Sequence, residues 1–427
     1  MSADFNITKL SDDLFRHESG KMLAVLTKIF GTENLDLSED VVQDTFMTAL
    51  QVWALKGIPE NPSAWLFRAA KNKAIDVLRR NKFSRQIDFN DPERTLLSSE
   101  YTLAIVMEKL WNDDGIEDDL LRMMFACCHP EISIENQVTL MLKTLCGFST
   151  GEIAKAFITS EDTVSKRLYR TKNFFRERKI KPSFPDELHI KASTAAVLRT
   201  IYLIFNEGYS ATHSNELIRK DLLDQAIYLC RLLAANKSTS LPEVYAATAL
   251  MCFHLARVDS RTNEYGEIIL LSEQDRSTWN RPLIEEGNML MNKAAFGEEI
   301  SSYHLEAAIA YEHCAAASFE QTNWRHILQY YDALITMQPS PIVALHRLIV
   351  VYKVFGVEKT LSEMENSVYK KEWEKNHIYF SLLGDIYSET NIAKSENAFK
   401  TAIKLTQSEA EKNLLIRKID GLKMTVV

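Results

Sequence analysis

Along nearly the whole of this 427-residue chain, apolar residues recur at spacings of three and four, and runs that alternate apolar with polar are few. That spacing puts side chains on one face of an α-helix, whereas a half-buried strand needs a period of two. Only 13 glycines and 10 prolines interrupt the pattern, so the chain reads as all-α. Its length predicts two or three domains of about 150 residues each. With 46% hydrophobic residues it can fill real cores, and disorder is not the default reading.

Breaks in composition set the expected organisation. Residues 8–84 form one helical block and 119–182 a second. Between them, 85–118 carries Asp88, Asp91, Glu93, Glu100, Glu108, Asp113, Asp114, Glu117 and Asp118, with Asp119 just beyond, and reads as a solvated acidic linker with a short helix around Leu103 to Trp111. Pro182 and Pro185 in KPSFPDE mark the next border. Residues 183–427 read as stacked helical hairpins of tetratricopeptide-like type. Trp324, Ile327, Leu328 and Tyr331 precede Pro339 and Pro341 and a further apolar helix, and Leu383, Gly384 and Tyr387 before Phe399, Ala402 and Ile403 repeat the theme.

Charge is uneven. The net charge is -8, with 50 basic against 58 acidic residues. Yet seven Lys or Arg fall between Arg68 and Arg85 beside the single acid Asp76, and eight fall between Lys166 and Lys181 beside Glu177. Phosphate binding depends on such local patches rather than on the total, so a mildly acidic chain is not excluded from nucleic acid.

GFSTGEIAKAFITSEDTVSKRLYRTKNFFRER reads as helix-turn-helix. Ser149 with Glu152 predicts a capping box, Ile153, Ala154 and Phe157 an inner face, and Ser160 a cap for a second helix whose Val164, Leu168 and Phe175 face inward. Thr163, Lys166, Arg167 and Arg170, with Lys172 nearby, are then left to face a major groove. Gly147 to Gly151 also fits the G-x-S-x-G pattern of a hydrolase elbow. That elbow needs a preceding strand, and TLMLKTLC before it is helical in pattern, so Ser149 is assigned to the cap.

Upstream, LSEDVVQDTFMTALQVW predicts a helix capped by Ser38. Asp40 and Asp44 lie one turn apart on it, with Gln43, as an acidic edge that is either solvated or a dock for a basic partner. After a loop with Gly57, Pro59 and Pro62, a helix beginning near Ser63 carries Arg68, Lys71, Asn72, Lys73, Arg79 and Arg80 opposite Leu66, Ala69, Ile75 and Leu78. A basic helix beside a polar loop can hold separated nucleic-acid strands. Trp53 and Trp65 are read as core.

EDVVQDTFMTALQVW, NPSAWLFRAAKNKAIDVLRR and the helix-turn-helix, in that order around an acidic linker, resemble bacterial RNA polymerase sigma factors of the extracytoplasmic-function group. The resemblance implies that Asp40, Gln43, Asp44 and Phe46 belong to the region that docks on the β′ clamp helices of core RNA polymerase, with the β flap as a second contact. It places the 56–63 loop with Arg68, Lys71, Asn72, Lys73, Asp76, Arg79 and Arg80 at the promoter -10 element, where duplex DNA is opened locally. Thr163, Lys166, Arg167, Arg170 and Lys172 fall at the double-stranded -35 element. DDLLRMMFACCHPEIS, IYLIFNEGYSATHSNELIRKDLLDQAIYLCRLLA and QDRSTWNRPLIEEG resemble the subgroup with a long tetratricopeptide-like extension. That resemblance implies regulation by the extension, through a protein or ligand partner, in place of a separate membrane inhibitor.

The remaining signals are weaker. Cys127-Cys128-His129, with Cys146, lacks the two-residue spacing that wraps zinc, and is read as core with no metal. Asn206, Glu207, Tyr209, Asp275, Arg276 and Trp279 either line a ligand groove or lock helix ends, and the structural role is preferred. No nucleotide-binding or zinc-protease motif is present, so no catalytic residue, enzymatic activity or cofactor is expected. MSADFNITKL has no signal-peptide pattern, and the most apolar stretch, 342–357, is broken by His346, Arg347 and Lys353. A cytoplasmic protein without a membrane partner is expected. The competing class is a stand-alone helix-turn-helix regulator with a helical sensor domain, which needs no Asp40 and Asp44.

Overall fold

The computed structural model describes residues 14–15, 18–27, 29–31, 34–84, 116–178, 189–211, 217–297 and 299–424. Among them the chain is helical, with one isolated antiparallel bridge between Thr262 and Ile268. The all-α reading holds. The linker expected at 85–118 lies almost wholly outside the described residues. Two compact units divide the chain, Met1–Ile204 and Phe205–Val427.

In the first unit, helical residues 18–27 and 29–30 precede α1 (Leu35–Lys56), α2 (Pro62–Ser84), α3 (Ile116–Ala126), α4 (Ile134–Thr144), α5 (Thr150–Ala156) and α6 (Glu161–Arg178). Helix α7 (Ile190–Tyr209) begins here and ends in the second unit. Helix α1 starts a turn before the expected cap. Leu35 is buried and Asp36 takes the first turn, so Ser38 is interior and its hydroxyl donates back to the Asn34 carbonyl at 3.3 Å. Val41, Val42, Phe46, Ala49 and Trp53 are its buried stripe, and α1 packs on α2, which buries Leu66, Ala70 and Ala74. Pro62 opens α2 where no N–H is needed, and the Ala64 N–H finds Asn61 Oδ1 at 2.9 Å. Trp53 is core as expected, its ring edge-on to Trp65 at 5.5 Å.

Helices α4, α5 and α6 pack on one another. Their shared core includes Val138, Leu142, Phe148, Ile153, Val164 and Phe175. The start of α7 is joined to them. The Thr200 hydroxyl lies 3.8 Å from Met141 Sδ, the Cys128 thiol 3.8 Å from the Ser193 carbonyl, and the Arg199 guanidinium 5.4 Å over Phe157. The first compact unit therefore runs to Ile204, beyond the proline-marked border at 182. Cys127 and Cys146 are buried, and burial raises both thiols well above their ordinary range.

The second unit contains α8 (Lys220–Ala235), α9 (Pro242–Leu255), α10 (Arg281–Ala294), α11 (Ser302–Ala315), α12 (Trp324–Met337), α13 (Pro341–Phe355), α14 (Val357–Glu365), α15 (Lys370–Trp373), α16 (His377–Tyr387), α17 (Ile392–Leu405) and α18 (Glu409–Met424). Most helices pack on the next in sequence, so each apolar face is covered by its neighbour. Ile327 and Leu328 of α12 meet Val350 and Val351 of α13. Between α13 and α16 the short α14 and α15 break a strict two-helix repeat, and their Met364 and Trp373 fill the core with Leu345, Leu348, Leu382 and Ile386. The α9–α10 connection is a long segment with two 3₁₀ turns, Val258–Arg261 and Arg276–Thr278. Arg417 of α18 reaches it, donating to the Ile268 carbonyl at 2.5 Å.

Candidate nucleic-acid interface

Helix α1 buries one stripe, so Asp40, Gln43 and Asp44 are exposed together on the opposite side. Phe46 is not with them. It is 5% exposed and edge-on to Phe15 at 5.0 Å, so it supports this face from within. Periodicity carried that signal, since Phe46 lies four residues after the buried Val42.

On α2 the exposed face carries Arg68, Asn72, Asp76 and Arg79, with Lys71 and Lys73 half-buried beside them. Lys73 leans toward Asp44 of α1 at 3.9 Å, and Arg79 lies 3.9 Å from Asp76. Both pairs are long, and ion pairs of this kind near the surface contribute little. Arg80 is on the same helix, its side chain outside the described residues. The preceding loop is open, with Gly57 at φ +82° and Ile58 exposed, and Leu55 is exposed in the last turn of α1. A row of cations thus follows a loop and helix end that carry apolar side chains at the surface.

The helix-turn-helix forms as the caps dictate. The Ser149 N–H donates to Glu152 Oε2 at 2.7 Å while the Glu152 N–H donates to Ser149 Oγ at 3.1 Å. Ser160 Oγ accepts the Thr163 N–H at 3.2 Å and starts α6. The turn uses an exposed Ile158 at φ +51°. Val164, Leu168, Thr171 and Phe175 face inward. Thr163, Lys166, Arg167 and Arg170 line a shallow depression of about 350 Å³ with Ser133, Glu135 and Asn136.

These side chains differ in freedom. Arg170 is exposed, and Lys166 pairs with exposed Asp162 at 2.6 Å. Arg167 is half-buried, its guanidinium 5.4 Å over Phe157 and one nitrogen, Nη1, buried without a partner among the described residues. Lys172 does not face outward with the others. Its ammonium meets Glu39 at 2.6 Å and Asp36 at 3.1 Å on α1. Burial works against that charge, but the two carboxylates outweigh it and hold the amine above its ordinary range. The sequence held the sign of this too, because Lys172 stands four residues after Leu168 and three before Phe175, on the flank of the buried stripe.

The contact is part of a wider junction inside the first unit. A Cβ at Gly20 would overlap the Leu145 carbonyl oxygen, so only glycine lets helical residues 18–27 approach the end of α4. A cleft of about 80 Å³ between these parts is lined by Ser19, Glu39, Gln43, Lys143, Thr144 and Gly147, among others. Among the described residues no group of three or more His, Cys, Asp or Glu is placed to hold a metal. Likewise, no helix among them is long and apolar enough to cross a membrane.

Residues 14–84, which build the α1–α2 face, match the sigma-70 region 2 family. Fold and face together define the class, a helical protein with a sigma-70 region 2 domain. More particularly, the chain belongs to the same family as the uncharacterized protein R00370 of Rhizobium meliloti (strain 1021), to which it is 34% identical over 392 residues, 91% of this chain and 90% of the relative. It is 29% identical to the ECF RNA polymerase sigma factor SigL of Mycobacterium tuberculosis (strain ATCC 25618 / H37Rv) over 133 residues, 31% of this chain and 68% of the relative. SigL of the CDC 1551 strain matches to the same extent. Residues 193–295 match a family of unknown function, DUF6596. No solved structure matches the chain.

Proposed function

We propose that the chain is a sigma factor of the extracytoplasmic-function type. In this reading Asp40, Gln43 and Asp44 dock on core RNA polymerase. The α2 cations with the 57–61 loop hold the -10 element as it opens, and Lys166, Arg170, Arg167 and Thr163 read the -35 element. The observation that carries the reading is the coincidence of the sigma-70 region 2 match with an exposed acidic edge and an adjacent cationic helix. Cations on phosphate supply affinity without sequence information, while a bidentate Arg–guanine pair is worth about 1–3 kcal/mol of discrimination. No step in this role needs covalent chemistry, so the protein acts as a binding factor rather than an enzyme.

The extension regulates this activity, and its array of helices offers surface for a protein or ligand. Ending the chain after Ile204, which keeps the part of α7 that packs on α4, is expected to change promoter-dependent transcription. The docking claim is tested by copurification with core polymerase. Wild-type protein is expected to coelute, and Asp40→Asn with Asp44→Asn to weaken the complex about tenfold or more. Wild-type protein that binds promoter DNA without ever associating with polymerase would favour the stand-alone regulator.

A further inference from the structure

The second unit contains a concentration of positive charge that the reading above does not use. Tyr209 ends α7, His254 sits near the end of α9, Arg257 and Arg261 flank the first 3₁₀ turn, Arg276 opens the second with Trp279 just after it, and His313 lies near the end of α11. The groups form two sets, and Arg257 of the first is near enough to Arg276 and His313 of the second for their charges to interact. Arg261 lies 3.7 Å over the Tyr209 ring and Arg257 6.0 Å from it, and Tyr209 and His254 rings are 4.7 Å apart. Arg257 also reaches His254 Nδ1 at 3.4 Å, and Arg276 stacks 4.7 Å over Trp279.

Part of this cluster is structural. Arg276 Nη1 donates to the His313 and Ala316 carbonyls at 2.6 and 2.7 Å, and Arg261 donates to the Tyr209 carbonyl, so each closes a helix C-terminus. Capping leaves the rest unexplained. Among the described residues Tyr209 Oη, Arg276 Nη2, Trp279 Nε1 and His313 Nδ1 are all buried without a partner, and Trp279 is only 3% exposed. Arg257, Arg261 and Arg276 make no ion pair among the described residues. Most nearby acids are engaged elsewhere: Asp259 with Lys220, Glu267 with Asn263 and Arg417, and Asp275 with Ser277. Glu320, bonded to Ser318, also feels the charge of Arg276 and compensates part of it. Both histidines are held neutral. Burial first, then Arg257 and its neighbouring charges, push His254 well below its ordinary range and His313 down to about 3.

We propose that Arg257, Arg261 and Arg276, with Tyr209, Trp279 and His313, form a binding site for the phosphoryl group of a small molecule. Three guanidinium groups together with buried phenol, indole and imidazole atoms call for an acceptor with more than one charge and several oxygens. Phosphate meets that demand, whereas a single carboxylate leaves two cations uncompensated. Inorganic phosphate and a phosphorylated metabolite share this chemistry. The site is independent of the sigma-factor reading, since it lies in the second unit and its test involves no transcription.

The test uses the full chain at constant ionic strength in chloride, titrated calorimetrically with inorganic phosphate and, separately, with AMP. Saturable binding of at least one, with Kd below about 1 mM, is expected. Tighter binding of AMP identifies a phosphorylated metabolite, and binding of phosphate alone identifies the inorganic ion. Arg257 caps no helix, so Arg257→Gln is the informative variant. It is expected to weaken binding about tenfold or more while melting, without ligand, no lower than wild type, because a like charge has been removed. Arg257→Lys, which keeps the charge, should retain part of the affinity. The proposal is overturned if neither probe binds up to about 10 mM, well above metabolite-site affinities. It is equally overturned if folded Arg257→Gln binds as wild type does, or if Arg257→Gln melts lower and wild type shows no phosphate effect.

Discussion

Ile158 carries the clearest local strain. It occupies the left-handed position after α5, where the Ile158 and Thr159 N–H groups close back on the Lys155 and Ala154 carbonyls at 3.0 and 2.8 Å. Glycine is the usual occupant of such a terminus, and a β-branched side chain at positive φ costs about 1–2 kcal/mol. With 81% of its surface exposed, Ile158 gives little packing in return. Ile158→Gly is therefore expected to stabilise the first unit by about 1 kcal/mol after the entropy that glycine adds to the unfolded chain, read as a higher urea midpoint at constant m. A second residue-scale consequence concerns acid. His313 and His254 have folded-state pKa values below the unfolded value, so they contribute nothing above about pH 6.5. Below it the unfolded chain gains protons that the folded chain refuses, and stability falls as pH drops toward the His313 value of about 3. Melting temperature is expected to decline over that window, less so in His313→Gln. Arg257, Arg261, Arg276 and Tyr209 surround the two rings.

At the scale of elements, helix contacts depend on small residues that patterning alone does not single out. A Cβ on Gly384 of α16 would overlap the Phe399 ring of α17, and the Ser395 hydroxyl donates to the Gly384 carbonyl at 2.8 Å. Gly384→Ala should improve helix propensity by about 1 kcal/mol yet destabilise overall by about 1–3 kcal/mol through overpacking. Urea denaturation of the second unit reads the sign directly. Much of this level was legible in the sequence. The Ser149–Glu152 box, the Ser160 cap, the inner face of α6 and the α12–α13 hairpin all follow from residue type and spacing. Ser38 misled because a capping residue tolerated inside a helix looks the same in sequence as one at its start, and only burial of Leu35 decides between them. Lys172 and Phe46 misled for a different reason. A motif assigns roles by position, whereas exposure depends on the angle around the helix and on what packs against it. The reach of the first unit through α7 to Ile204 was hidden, since Pro182 and Pro185 mark a break in the chain rather than a break in packing.

Across the whole molecule, two cationic helices coexist with a net charge of -8. Long-range attraction to DNA is then weak, and binding depends on local faces within a Debye length of about 8 Å at physiological salt. Promoter engagement that depends on polymerase fits this distribution better than free searching of DNA. The partnerless donors around Arg257 and the cations on α2 and α6 also separate by chemistry. The former are buried and await a small anion, while Arg68, Lys166 and Arg170 among the latter are exposed and suited to a polyanion. The most direct measurement of the central claim is run-off transcription from a library of genomic fragments, using purified core polymerase with and without this chain. Discrete transcripts that appear only when the chain is added, and disappear with Asp40→Asn and Asp44→Asn, are predicted. Transcripts that are the same with and without the chain would contradict it.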